Sequence, residues 1–192
     1  MCGIYGFAGF KEDNLLDRMG RVIRHRGPDG QGRYEAPEGA PFSMGMQRLS
    51  IIDLEGGWQP IHNEDRTVWT VLNGEIYNFA SMRQQLERLG HVFYTRSDTE
   101  VIVHAYEEFG TDCVRHLNGM FAFAVWDARK QILFVARDRI GIKPLFYAET
   151  DDSLIFASEL KVMLAHPGVE RKIDLVSLNE YLTYEYVPTP RS

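Results

Sequence analysis

Cys2 stands one residue from the start of the chain, in MCGIYGFAGF, in a sequence with one other cysteine, Cys113. A chain end ordinarily frays and leaves a thiol open to oxidation, so this placement asks for a chemical reason. Loss of Met1, which a small second residue permits, would put a thiol and a free α-amine on the same residue. With reference pKa values of about 8.5 for the thiol and about 7.7–8.0 for the amine, a nucleophile and its general base would arrive together. The plain alternative is a cysteine that packs as a small apolar side chain.

Attack on a carboxamide builds negative charge on oxygen, which needs donors already in place. Asn73-Gly74 offers a side-chain amide and an adjacent backbone N–H, although the same dipeptide also reads as an ordinary turn ending a strand. Arg48 lies in the apolar stretch MQRLSII, where a charge must be paired, and a guanidinium can grip a carboxylate through two parallel hydrogen bonds. Asp98 follows Ser97 at an expected helix start, where the macrodipole favours a negative charge whatever the function. An arginine and an aspartate held apart by a fold nevertheless suit the carboxylate and ammonium of an amino acid.

The remaining chemistry-bearing residues form no pattern. The six histidines, at positions 25, 62, 91, 104, 116 and 166, are scattered, and Cys113 to His116 is the nearest approach to a metal spacing. They read as structural, and no metal site is expected. GxxxxGK[ST], GxGxxG and GxSxG are all absent.

The elements that must position these residues follow from hydrophobic period and breakers. Residues 4–10 form an apolar run suited to a buried strand, and Leu15, Leu16, Met19, Val22 and Ile23 recur at helical period. Arg24 to Gly32 carries Gly27, Pro28, Gly30 and Gly32 and reads as irregular loop. FSMGMQRLSIID and RTVWTVLNGEIYN read as strands, the apolar run of the second ending in an Asn-Gly turn. Residues 80–89 read as a helix closed by Gly90. A second helix is opened by a capping box of Ser97 and Glu100 and stopped at Gly110. GMFAFAVWD and QILFVARD form a hairpin, SLIFAS a further strand, and ELKVMLA and SLNEYLTY further helices. Strands cluster and helices fall between the clusters, which predicts α+β with antiparallel sheets.

With 192 residues, 44% hydrophobic and 25% charged, the chain can bury a good core as one domain. Its net charge of -6 argues against a nucleic-acid partner, and no apolar run approaches a membrane span. With no secretory signal pattern and no disulfide framework, the cytoplasm is the expected compartment.

MCGIYGFAG, RHRGPDG, RLSIID, LNGEIYN, SDTEV, LNGMFAFAVWD, RDRIGIKPLFY and ASELK occur in this order. The set resembles the N-terminal glutaminase domain of class II glutamine amidotransferases, and within them it is most similar to the glutamine-hydrolysing asparagine synthetases. The resemblance implies an N-terminal nucleophile hydrolase fold, a four-layer αββα sandwich of two antiparallel sheets, over residues 2–165. Residues 166–192 would be a linker and the start of a truncated C-terminal synthetase domain. It also implies roles: Cys2 as the nucleophile that forms a glutamyl thioester, and Asn73 with Gly74 as the oxyanion hole. Arg48 would bind the α-carboxylate of glutamine and Asp98 its α-ammonium, while Leu49, Ile51, Ile52 and Glu75 line the pocket. RHRGPDG either orders over bound glutamine or packs as a rigid connector, with the connector role preferred. The implied reaction hydrolyses L-glutamine to glutamate and ammonia, the ammonia amidating aspartate in an ATP-dependent C-terminal domain. No cofactor is expected on this chain, with ATP and Mg²⁺ confined to that domain, and a homodimer is compatible with the resemblance. The alternatives are the same glutaminase serving another acceptor and a catalytically silent glutamine-binding domain.

Overall fold

In a computed structural model of the chain, which describes residues 1–9, 12–37 and 39–188, the apolar opening run forms strand β1 (Gly3–Gly9). The expected end of that run at Phe10 lies outside the described residues, as do residues 189–192 of the VPTPRS tail. Successive side chains of a strand point to opposite faces. Tyr5 and Phe7 therefore enter one core layer while Ile4 enters another.

Helix α1 (Leu15–Val22) leads through a short 3-10 turn at residues 24–26 into β2 (Gly30–Glu35) and then β3 (Phe42–Arg48). Late in the chain come β8 (Phe146–Glu149) and β9 (Ser153–Ala157). These five strands form one sheet in the order β2-β3-β1-β9-β8, so β1 is central, with Tyr5 facing Gly45 on one side and Ala157 on the other. A second sheet has the order β4-β5-β6-β7, comprising Ile61–His62, Val68–Ile76, Gly119–Asp127 and Ile132–Arg137. All the recorded pairings are antiparallel.

Helices cover both outer faces. Leu15, Leu16 and Met19 of α1, with Val162 and Met163 of α4 (Leu160–Met163), pack on Tyr5, Phe7 and Ile155 of the first sheet. Met82 and Leu86 of α2 (Phe79–Arg88) and Val101 to Ala105 of α3 (Glu100–Phe109) pack on Leu72, Ile76, Phe123 and Val125 of the second. Ile4, Met44, Met46, Val71, Ala122 and Phe156 fill the space between the sheets. Each large buried apolar side chain contributes roughly 1.5–3 kcal/mol, and three continuous layers of them fix the αββα sandwich. Helix α5 (Leu175–Tyr184) is different: Leu175 and Leu182 are 74% and 73% exposed.

Four local expectations are corrected. Asn73-Gly74 is no turn: both residues lie within β5, opposite Ala122 and Phe121 of β6. A Cβ on Gly74 would strike the Met120 carbonyl, so glycine is there for close approach of two strands and not for a left-handed turn. Arg24 to Gly32 is not irregular throughout, because β2 begins at Gly30, and Gly32 lets the strand approach the Gln59 backbone. The strand through FSMGMQR ends at Arg48, and residues 49–60 are irregular. The capping box does not form. Glu100 instead accepts from the backbone N–H groups of Tyr94 and Thr95 at 2.8 and 2.7 Å, and Ser97 Oγ accepts from Thr99 N.

Candidate active site

Cys2 immediately precedes the central strand β1, which is flanked by β3 and β9. Its thiol meets the Leu49 backbone, Sγ lying 3.5 Å from the carbonyl oxygen and 3.4 Å from the amide nitrogen. Its own carbonyl accepts from Arg26 Nε at 2.9 Å, and Arg26 Nη1 also reaches Glu159 Oε1 at 3.3 Å. Burial pushes the Glu159 carboxyl up, but hydrogen bonds from His25, Lys161 and Arg26 outweigh it and hold it below the usual carboxylate range. From the same RHRGPDG segment, Asp29 Oδ2 accepts from Ser50 N at 2.7 Å and Gly27 packs against the Gln47 backbone. The segment ties the first residues to β3 and the loop after it. Cys113, by contrast, is buried, which pushes its thiol up to about 12 and leaves it inert.

A cavity of about 60 Å³ opens beside Cys2 and is lined by Arg48, Leu49, Ile51, Ile52, Gly74, Glu75 and Asp98, together with Gly57, Gln59, Leu72, Ser97 and Thr99. A larger hollow of about 430 Å³ lies near Leu117 and Arg137, but no cysteine or other nucleophile of the kind needed lines it. Of the residues singled out by sequence, Asn73 alone is absent from the lining, being 1% exposed beneath it. Its side-chain Nδ2 is buried and finds no hydrogen-bond partner among the described residues. An unmet buried donor costs roughly 1–3 kcal/mol, so the fold keeps one polar group waiting next to Gly74.

The two ends of the cavity carry opposite charge. The buried Arg48 guanidinium donates to the carbonyls of Ile52, Asp53 and Leu54 at 3.3, 2.6 and 3.2 Å and stacks over Trp58 at 4.8 Å. These bonds use three of its five N–H groups and fold residues 52–54 around it. Burial raises the Asp98 carboxyl above its ordinary pKa, Glu75 adds to the shift, and hydrogen bonds from Ile76 N and Ser97 oppose it. The Ile76 bond, 2.9 Å to Oδ2, fixes the carboxylate to the end of β5.

Several lining residues carried no sequence signal. Gln59 accepts from Leu72 N at 2.6 Å and donates to Thr99 Oγ1 at 3.1 Å, so it stitches the irregular loop to β5 and the start of α3. A glutamine in a loop has no periodicity to reveal such a bridge. Arg26 was visible only as part of a glycine-rich segment. The histidines are not all scattered in space either: His91 and His104 lie side by side, their ring centroids 4.7 Å apart and their planes tilted by 43°.

The chain is similar to known proteins along its whole length. The family description "Glutamine amidotransferase domain" matches residues 1–192. Asparagine synthetase [glutamine-hydrolyzing] 3 of Bacillus subtilis is 43% identical over 187 residues, covering 94% of this chain and 30% of that protein. A putative asparagine synthetase [glutamine-hydrolyzing] of Mycobacterium bovis is 38% identical, covering 100% of this chain and 32% of its own length. The chain thus spans about 30% of the length of these curated relatives. The glutamine phosphoribosylpyrophosphate amidotransferase of B. subtilis matches with a TM-score of 0.69 at 22% identity, over 85% of this chain and 43% of that one. A structure described as the allosteric regulatory enzyme of purine biosynthesis gives 0.72 at 23% identity, with the same coverage. At that identity the likeness is one of fold, the N-terminal nucleophile hydrolase sandwich. The sequence match over the full length carries the assignment further, and the chain belongs to the glutamine amidotransferase domain family.

Proposed function

We propose that this chain is the glutaminase half of an asparagine synthetase and hydrolyses L-glutamine to glutamate and ammonia through Cys2. The observation that carries the reading is the single cavity that gathers Cys2, Arg48, Gly74 and Asp98, one residue for each demand of the reaction. Arg48 would take the α-carboxylate and Asp98 the α-ammonium, with Glu75 reinforcing the negative end and Leu49, Ile51 and Ile52 forming the walls. Removal of Met1 frees the α-amine of Cys2, which accepts the thiol proton as Sγ attacks the side-chain carbonyl carbon of glutamine. The oxyanion is met by Asn73 Nδ2 and the Gly74 N–H, and the unmet Nδ2 donor supports that assignment. Collapse breaks the C–N bond, the protonated amine returns its proton to the leaving nitrogen, and ammonia departs. Water then attacks the thioester, giving up a proton to the amine, and the thiolate is reprotonated as glutamate leaves.

The ammonia would be consumed by a C-terminal domain that uses ATP and Mg²⁺ to activate aspartate, neither of which needs a site on these residues. The boundary is placed at 165/166. Helix α5 supports it: Leu175, Val176, Tyr181 and Leu182 are exposed around its circumference, an apolar surface suited to a further domain. The cytoplasm is the proposed compartment, in keeping with two unpaired cysteines. Among the described residues no helix is long and apolar enough to cross a membrane.

A diazo-ketone analogue of glutamine tests the reading. The expected result is one adduct on Cys2 in a mature chain that begins with Cys2, and loss of both adduct and turnover in Cys2→Ala with glutamine still bound. An adduct on another residue, or a turning-over chain that retains Met1, overturns it.

A further inference from the structure

Glu64, His91, His104 and Glu107 come from three separate stretches of chain: the β4–β5 connection, the segment after α2, and one face of α3. One ligand atom from each lies within 4.8 Å of all the others. Both imidazoles turn Nδ1 inward. His104 Nδ1 is 3.4 Å from Glu107 Oε2 and 3.7 Å from Glu64 Oε2, and His91 Nδ1 is 3.5 Å from Glu64 Oε1 and 3.7 Å from Glu107 Oε2. Charge-assisted hydrogen bonds close to about 2.7–2.9 Å, so these four separations are too long for a tight ion-pair network. They lie close to the spacing of co-ligands: nitrogen and oxygen bound tetrahedrally at about 2.0–2.2 Å from one ion lie roughly 3.3–3.6 Å apart, which two of the four match and the two at 3.7 Å reach by a slight inward move.

The surroundings hold three of the four ligands by hydrogen bonds. His91 Nε2 meets Glu108 Oε1 at 2.9 Å, Asn63 Nδ2 donates to Glu107 Oε1 at 2.7 Å, and Val92 N donates to Glu64 Oε1 at 2.8 Å. His104 is completely buried, and its Nε2 has no hydrogen-bond partner among the described residues; Glu100 Oε1 stands 3.6 Å behind it. Imidazoles backed by carboxylates, with their second nitrogens converging on one point, are the arrangement that orients metal-binding histidines. The exposed side of Glu64 gives an ion a way in.

We propose that Glu64, His91, His104 and Glu107 bind one divalent transition metal of the zinc class as a closed structural site, separate from the Cys2 cavity. Two imidazoles and two carboxylates suit Zn²⁺, and four protein ligands fill its tetrahedron, leaving no position for substrate. The ion would replace the expectation of structural histidines without a metal. Bound there, it joins the β4–β5 connection and the segment after α2 to α3.

The chain, stripped with a chelator, is titrated with ZnCl₂ by calorimetry and with Co²⁺ in the visible. The expected result is one tight equivalent, a tetrahedral Co²⁺ spectrum lacking a thiolate band, and a Tm higher by about 5–10 °C at a hundredfold excess over Kd. His91→Ala and Glu64→Gln, both at partly exposed positions, weaken that equivalent more than about 100-fold, and Glu108→Gln weakens it about 10-fold. Cys2→Ala leaves it unchanged. Absence of a tight equivalent overturns the proposal, as does one that survives His91→Ala and Glu64→Gln or disappears with Cys2→Ala.

Discussion

Asn73 is held under the cavity with a donor that the rest of the fold does not use. If that donor meets the oxyanion, Asn73→Ala lowers kcat about 10²–10³-fold with little change in KM, because the amino-acid end of glutamine is gripped elsewhere. Steady-state kinetics measures the split, and a thermal melt shows that the fold survives. Asp98 makes a prediction in pH. Burial raises its pKa in the folded chain, so the native state binds the proton more tightly than the unfolded one. Ligand-free stability therefore falls as pH rises through the window between the unfolded and folded values, and Asp98→Asn removes that dependence. If Asp98 holds the α-ammonium of glutamine, binding needs the ionised form, and KM for the wild type rises as pH drops toward the elevated pKa. Melts and kinetics across pH, on wild type and Asp98→Asn, read both effects. Cys2 and Arg48 were legible in the sequence because each is a residue type out of place in its local context, whereas Asp98, at home at a helix start, stood out only as a counterpart to Arg48. Gln59 was not legible, since its two hydrogen bonds join elements that only the tertiary fold brings together.

Strand β1 explains how a chain end can be rigid. It is hydrogen-bonded on both sides, and the Cys2 carbonyl just before it is caught by Arg26. Arg26→Ala frees that carbonyl, and a displacement of about 1 Å at a nucleophile costs on the order of 100-fold in rate. The expected outcome is a fall in kcat of tenfold or more with KM and Tm nearly unchanged, which separates a positioning role from glutamine binding. Strand and helix identities came through the sequence wherever period and breakers agreed, as in β1, α1, α2 and the β6–β7 hairpin. Two of the misreadings share one cause: glycine and asparagine were taken as chain breakers. At Gly32 and Gly74 glycine instead serves as a missing side chain between closely packed backbones, a demand that depends on partners far off in sequence. The capping box failed similarly, because Glu100 was claimed by the backbone of residues 94 and 95, leaving Ser97 to turn the chain locally.

At the scale of the molecule, the three apolar layers end before α5, whose leucines and tyrosines remain exposed. Deleting residues 173–192 is therefore expected to shift Tm by less than about 2 °C and to reduce non-specific association, measured by melting and light scattering. The α+β class with antiparallel sheets was legible as clustered strands with helices between and the four layers only through the family resemblance, whereas sheet order was not legible, since nothing local says that β9 lies beside β1. That neighbour relation bears on how the protein comes into being. Ile4 N donates to Ser158 Oγ across 154 positions of sequence, and Tyr5 to Gly9 pair with residues 153–157. The seat of Cys2 is thus finished only when residue 158 has followed. Translation adds about 5–20 residues per second, so for several seconds after β1 is made its second edge lacks a partner. A nascent chain halted before residue 153 would have a β1 with one free edge, and if Cys2 is the nucleophile, glutamine hydrolysis would switch on only after the domain has been made.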